Sequence, residues 1–195
     1  MPLFFHKFPI TSQVFHISKH SYALVNLKPI VSGHVLVVPL RRVPRLSDLP
    51  ESESIDFFQT VQRVQKFISH IYCSDSINLG IQDGLAAGQS VPHVHCHIIP
   101  RYLKDGWGDG IYTALEESEG MMKKDFMIRN GWWKDVCQGM NVENDDERRP
   151  RTMGAMEKEA DWLRKEMNQW MKNTGEWKQE FDIDPNSIVQ EEGKQ

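Results

Sequence analysis

Cysteine is scarce. Cys73, Cys96 and Cys137 are the three in 195 residues. Odd in number and widely spaced, they exclude a disulfide framework and offer no thiolate pair for a metal. A reducing compartment fits that poverty, so the cytoplasm is the expected location, with the nucleus also open to the chain. Long apolar runs are missing too. No stretch is uninterrupted enough to cross a bilayer, and the opening MPLFFHKFPI has no charged lead, long apolar centre or small-residue cleavage site, so no membrane partner is expected. Nor does one sign of charge dominate. Residues 1–101 hold nine Lys/Arg against six Asp/Glu, and residues 102–195 hold fourteen against twenty-one, so the two parts carry +3 and −7 for a net −4. Nothing resembles the basic stripe of a duplex-binding protein, which excludes bulk nucleic acid, whereas a mildly basic first part suits a small polyanion.

What is present is enough apolar residue, 39% against 26% charged, for one globular domain and an appendage. VFHI (14–17), SYALVN (21–26) and HVLVVPL (34–40) are short strand-like runs separated by SKH and KPIVSG, a β-meander punctuated by Pro29 and Gly33. After Asp48 and Pro50, the positions Ile55, Phe58, Val61, Val64, Ile68 and Ile71 recur at steps of three and four, which predicts a helix over 50–72 with one buried stripe. SINLGIQ (76–82) and HVHCHII (93–99) return to strand character around the loop DGLAAGQSVP. Five strands and a helix in this order imply an α+β fold on an antiparallel sheet. From 116 to 151 no period holds, and a mobile insertion loop is expected. Met153, Met156, Ala160, Leu163, Met167 and Trp170 then step as an amphipathic helix over 152–172 that docks on the domain, and 173–195 has the composition of an acidic disordered tail.

Chemistry concentrates in Gly88-Gln89-Ser90-Val91-Pro92-His93-Val94-His95-Cys96-His97. In a strand, His93, His95 and His97 share one face while Val94, Cys96 and Ile98 enter the core behind them. Such a row of imidazoles either binds a transition metal or presents nitrogen nucleophiles and donors to phosphate. A zinc site needs a fuller ligand shell, and no nearby cysteine pair or carboxylate cluster offers one, since Asp83 is the sole acid in the adjoining loop. A neutral imidazole attacks phosphorus through one nitrogen when a backbone carbonyl holds the proton on the other. Attack at an α-phosphate expels a weakly basic nucleotide, so such a site needs neutralisation of spreading charge more than a strong acid. Gln89, Ser90 and the backbone N–H groups around Gly88 are the neutral donors for that task, and Gly88 permits close backbone approach.

HVHCHII resembles the His-x-His-x-His signature of the histidine-triad superfamily of nucleotide hydrolases and transferases. With YALVNLKPIVSGHVLVVPLR, GIQDGLAAGQSVPHVHCHIIPR and RRPRTMGAMEKEADWL, the chain is similar to its fragile-histidine-triad branch of dinucleoside polyphosphate hydrolases, fungal members above all. The likeness covers residues 4–103 and 148–170 and implies a catalytic domain over 1–115 with the histidine-triad five-stranded sheet. It makes His95 the nucleophile, with His97 a phosphate contact and His93 orienting the row. Asn26, Gln82, Gly88, Gln89, Ser90 and Val91 match positions that hold nucleotide and phosphate, and His34 matches a histidine backing the site. Tyr112 matches a mobile-loop tyrosine near the substrate's distal end. Lys7 replaces a histidine that relatives can have near the nucleotide, and His6 is its candidate substitute.

The same likeness implies a homodimer, and magnesium or manganese carried with the substrate phosphates in place of a dedicated protein cage. The expected reaction cleaves diadenosine triphosphate or tetraphosphate to AMP plus ADP or ATP through a covalent nucleotidyl-histidine. Three alternatives stand beside it: a nucleoside phosphoramidate hydrolase, a slow-turnover nucleotide-bound signalling protein, and a metal-binding module.

Overall fold

The computed structural model describes residues 2–117 and 151–175. The described residues form seven strands: β1 (Phe4–Phe5), β2 (Phe8–Pro9), β3 (Val14–Ile17), β4 (Ser21–Val25), β5 (Val35–Pro39), β6 (Ser76–Gly80) and β7 (Cys96–Arg101). The last five form an antiparallel sheet in the order β3-β4-β5-β7-β6, the α+β architecture expected. β1 and β2 make a separate two-stranded hairpin, which no run of alternating residues announces. Its turn is tight enough to hold His6 at φ 54. The hairpin is tied to the sheet by the Tyr22 hydroxyl, which donates to Phe4 O at 3.0 Å.

Helix α1 (Glu51–Ile71) starts at Pro50, whose φ of −65° suits a helix start, and carries Glu51 and Glu53 in its first turn, where the exposed N–H groups favour negative charge. It packs across β4, β5 and β7. Val61, Val64 and Ile68 of the predicted stripe are buried, but its first positions are not. Ile55 and Phe58 are about half exposed, at 51% and 47%, while Phe57, Thr60, Val61, Arg63, Val64, Phe67 and Ile68 are buried. The adjacent pair Phe57 and Phe58 fits either of two neighbouring stripes, and the sheet selects the one through Phe57. A helical stretch, α2, occupies 110–117, where Ile111 and Leu115 join Ile99 in a small second cluster.

Helix α3 (Met153–Thr174) begins on Thr152, whose side chain accepts the Ala155 N–H, and stops at Gly175 in the left-handed conformation, two residues beyond the expected boundary. Met156, Ala160, Leu163, Met167 and Met171 are buried beneath it, whereas Met153 is 44% exposed. α3 lies against β3 and the turn before it, and Arg164 Nη2 donates to Val14 O at 2.5 Å. The two long helices meet at Phe67, whose ring lies 6.4 Å from Phe15 and 5.9 Å from Trp170. Most of the expected insertion and of the acidic tail lies outside the described residues. Among the described residues no helix is long and apolar enough to cross a membrane.

Candidate active site

The three histidines are all buried, at 1% exposure or less, and do not form one strand row. β7 begins only at Cys96. Before it, the Val94 N–H leaves the sheet to donate to Val43 O, and the His93 N–H closes a tight turn onto Val91 O at 2.7 Å. His97 is therefore the one triad member inside the sheet, facing away from Cys96 and Ile98. Cys96 is no thiolate, because burial pushes its thiol up to about 12.

Each imidazole has its tautomer assigned by its hydrogen-bond geometry. His93 accepts the His6 backbone N–H at Nδ1 (2.9 Å), so its proton sits on Nε2 and is donated to Pro39 O at 2.9 Å. Both nitrogens are occupied, and burial lowers the His93 pKa to about 4. Phe5 closes over it, stacked at 5.6 Å, and meets His95 edge-on at 5.2 Å. His95 in turn donates from Nδ1 to the His93 carbonyl at 2.8 Å. That bond places the proton on Nδ1, so the ring lone pair sits on Nε2.

His97 is set from behind. The Ile30 N–H donates to His34 Nδ1 (3.2 Å), so His34 carries its proton on Nε2 and donates it to His97 Nδ1 at 2.9 Å. His97 then carries its own proton on Nε2, making it a donor beside His95, 5.0 Å away between ring centroids. Asn26 is oriented by the Lys28 N–H on its Oδ1 at 3.1 Å, which turns its amide nitrogen toward His34 Nε2 at 3.2 Å. With that Nε2 already donating, the approach is packing, and the Asn26 N–H donors remain for a ligand.

The loop from 83 to 92 departs from expectation. Its Gly88 and Gln89 N–H groups are spent inside the loop, on Leu85 O and Gly84 O at 3.1 Å each, and the Gln89 side chain donates to Pro44 O at 2.9 Å. These bonds fold the loop, and the Gln89 amide has a second N–H beyond the one given to Pro44. Val91 is buried in the core with its side chain, and Ser90, an expected donor, is half-buried at the loop end. Gly88 sits at φ +89, and a Cβ there would lie 2.8 Å from Gln82 Nε2. The close approach it permits is to the Gln82 amide, whose Oε1 is buried with no hydrogen-bond partner among the described residues. Asp83 accepts the Leu46 N–H at 2.9 Å and so braces the neighbouring turn.

Tyr112 stands in α2, not in a loop, and its hydroxyl accepts from Asn78 Nδ2 of β6 at 3.3 Å. Lys7 Nζ lies 5.9 Å over the Phe8 ring. Phe5 and the His6 backbone, which govern His93, escaped the sequence reading because two-residue strands leave no periodic signal. Among the described residues no three His, Cys, Asp or Glu side chains gather as metal ligands. With both its nitrogens engaged, His93 has no lone pair to give a cation.

A profile of the HIT domain matches residues 7–104. The chain belongs to the HIT-domain family. The chain is 46% identical over 168 residues to the asymmetrical bis(5'-nucleosyl)-tetraphosphatase of Schizosaccharomyces pombe, covering 83% of this chain and 92% of that one. A bis(5'-adenosyl)-triphosphatase of Saccharomyces cerevisiae is 44% identical, with 87% and 94% covered. Among solved HIT structures, the Plasmodium falciparum diadenosine triphosphate hydrolase in complex with cyclomarin A superposes with a TM-score of 0.62 at 25% identity, covering 86% and 85% of the two chains. The Caenorhabditis elegans NitFhit protein gives 0.59 at 31% identity, over 85% of this chain and 30% of that longer one.

Proposed function

We propose that this HIT protein hydrolyses dinucleoside polyphosphates through a covalent nucleotidyl-His95. The observation that carries the reading is the His95 Nδ1–H bond to the His93 carbonyl at 2.8 Å, which presents Nε2 as a neutral nucleophile. Nε2 attacks the α-phosphorus, a P–N bond forms, and the bond to the bridging oxygen breaks, releasing ADP or ATP as a weakly basic anion. Positive charge that develops on the ring is held at Nδ1 by the carbonyl. The His97 Nε2–H, fixed through His34, donates to the phosphoryl oxygen as its charge grows. Water then adds to phosphorus, the P–N electrons return to Nε2, AMP leaves and the water proton passes to solvent.

Asn26 and Gln82 supply unspent donor and acceptor atoms for the nucleoside. The naming of the fungal relatives supports the substrate class. Magnesium or manganese is proposed to enter with the substrate phosphates. A second copy pairs at β6, which ends the sheet with Leu79 at 51% exposure.

The test is an acid-quenched single turnover with diadenosine triphosphate and tetraphosphate in separate reactions containing magnesium. AMP trapped on His95 before AMP and ADP or ATP accumulate is the expected result. Hydrolysis at full rate by His95→Asn would refute the mechanism. Adenosine phosphoramidate in the same assay decides between the hydrolase readings, since the amine leaving group needs a better proton donor.

A further inference from the structure

We propose that Arg151, backed by Glu159 and Tyr72, is a positioning residue for the nucleotide pocket, fixing the turn from Asn26 to His34 from outside the HIT domain proper. The inference rests on the assignment of that turn to nucleotide binding. Arg151 places three donors on two consecutive carbonyls just past the end of β4. Its backbone N–H donates to Leu27 O at 3.1 Å, and Nε and Nη2 donate to Asn26 O at 3.2 and 2.5 Å. The remaining guanidinium nitrogen, Nη1, pairs with Glu159 in the second turn of α3. Glu159 Oε1 also accepts the Tyr72 hydroxyl at 3.2 Å. Burial and the adjacent carboxylate raise the Tyr72 pKa, so the phenol stays a donor.

Tyr72 reaches the other end of the same turn. Its ring lies against Gly33 so closely that a Cβ there would stand 2.7 Å from Cδ2, and Gly33 adopts φ +81. The next residue is His34, which sets the His97 tautomer. One linked group, Arg151–Glu159–Tyr72, thus holds Asn26 through its carbonyl and His34 through the neighbouring glycine. α3 itself stays docked without it, because Met156, Ala160, Leu163, Met167 and Met171 are buried independently. Removing the Arg151 side chain therefore loosens the turn while sparing the helix.

The experiment compares wild type, Arg151→Ala and Arg151→Lys in the full chain, by steady-state kinetics on diadenosine triphosphate, calorimetric AMP binding and thermal melting. Arg151→Ala is expected to raise KM and the AMP dissociation constant about tenfold, the net worth of a charge-assisted hydrogen bond, with kcat within about threefold. Arg151→Lys, which restores a donor without the fork, should fall between. Adding Arg151→Ala to Asn26→Ala should raise KM by clearly less than Arg151→Ala does alone, since much of its effect passes through the Asn26 side-chain amide. An unchanged KM in Arg151→Ala, or full additivity with Asn26→Ala, would overturn the inference. Wild type that binds AMP without cleaving substrate would end the hydrolase reading alone, and positioning is then decided by the AMP affinities: equal values for wild type and Arg151→Ala overturn it.

Discussion

Lowering the pH from 7 to 5 should weaken this fold by about 4 kcal/mol through two buried histidines that do no chemistry. His93 is held near 4 by burial, and His16 near 3 by burial with the Arg63 guanidinium added. An unfolded histidine titrates near 6.5. Both folded values lie below the unfolded one, so the stability these residues contribute is complete above about pH 6.5 and is lost as pH falls toward 4. At pH 5 the unfolded chain has bound nearly one proton at each site and the folded chain almost none. With 1.36 kcal/mol per pKa unit, that costs about 2 kcal/mol per residue. Geometry gives the reason at His93: a second proton would go to Nδ1, where it would face the His6 N–H. Urea unfolding at pH 7, 6 and 5 measures the loss. His16→Gln should halve it to about 2 kcal/mol by removing one of two equal contributions. A loss under about 1 kcal/mol between pH 7 and 5, or a His16→Gln profile identical to wild type, would refute the reasoning.

Four further outcomes can be checked. His95→Asn keeps an N–H near the Nδ1 position and loses the lone pair, so turnover should fall by at least about 10³ while the melting temperature stays near wild type; quench-flow and calorimetry read the two. Gly33→Ala sets a side chain at φ +81 against the body of the Tyr72 ring, and should cost at least about 2 kcal/mol by denaturation. Leu163→Ala opens a cavity under α3 where Leu163 is fully buried, with a loss of about 2–5 kcal/mol expected. If the proposed pairing at β6 holds, wild type runs as a dimer in light scattering and Leu79→Lys as a folded monomer.

The parts of the fold with a strong period were legible in the sequence. Val14–Ile17 is the strand expected to the residue, and α1 falls within one residue of its predicted ends. The start of the buried face of α1 was not, because Phe57 and Phe58 are adjacent apolar residues and only the sheet distinguishes them. Strict alternation from His93 to His97 predicted a strand that tertiary bonds then broke. The His93 carbonyl goes to the His95 ring and the Val94 N–H to Val43, and neither is left for a ladder. That break is what aims His95. Gln89 illustrates a different limit: an amide in a loop beside a histidine motif suggests a phosphate donor, and nothing local announces its bond to the Pro44 carbonyl, a partner 45 residues away. The contribution of Arg151 is invisible for the same reason, since the carbonyl it holds belongs to Asn26.

The two margins of the sheet end differently. β3 is buried along its whole length, with α3 against it and Arg164 on its Val14 carbonyl, whereas β6 is partly open. A sheet sealed on one flank can be extended once only. Two copies joined at β6 turn their sealed flanks outward, and a third finds no row of backbone groups to continue the ladder. In the proposed dimer the helix appended after the domain would act as a brake on polymerisation, making the open flank safe to leave open.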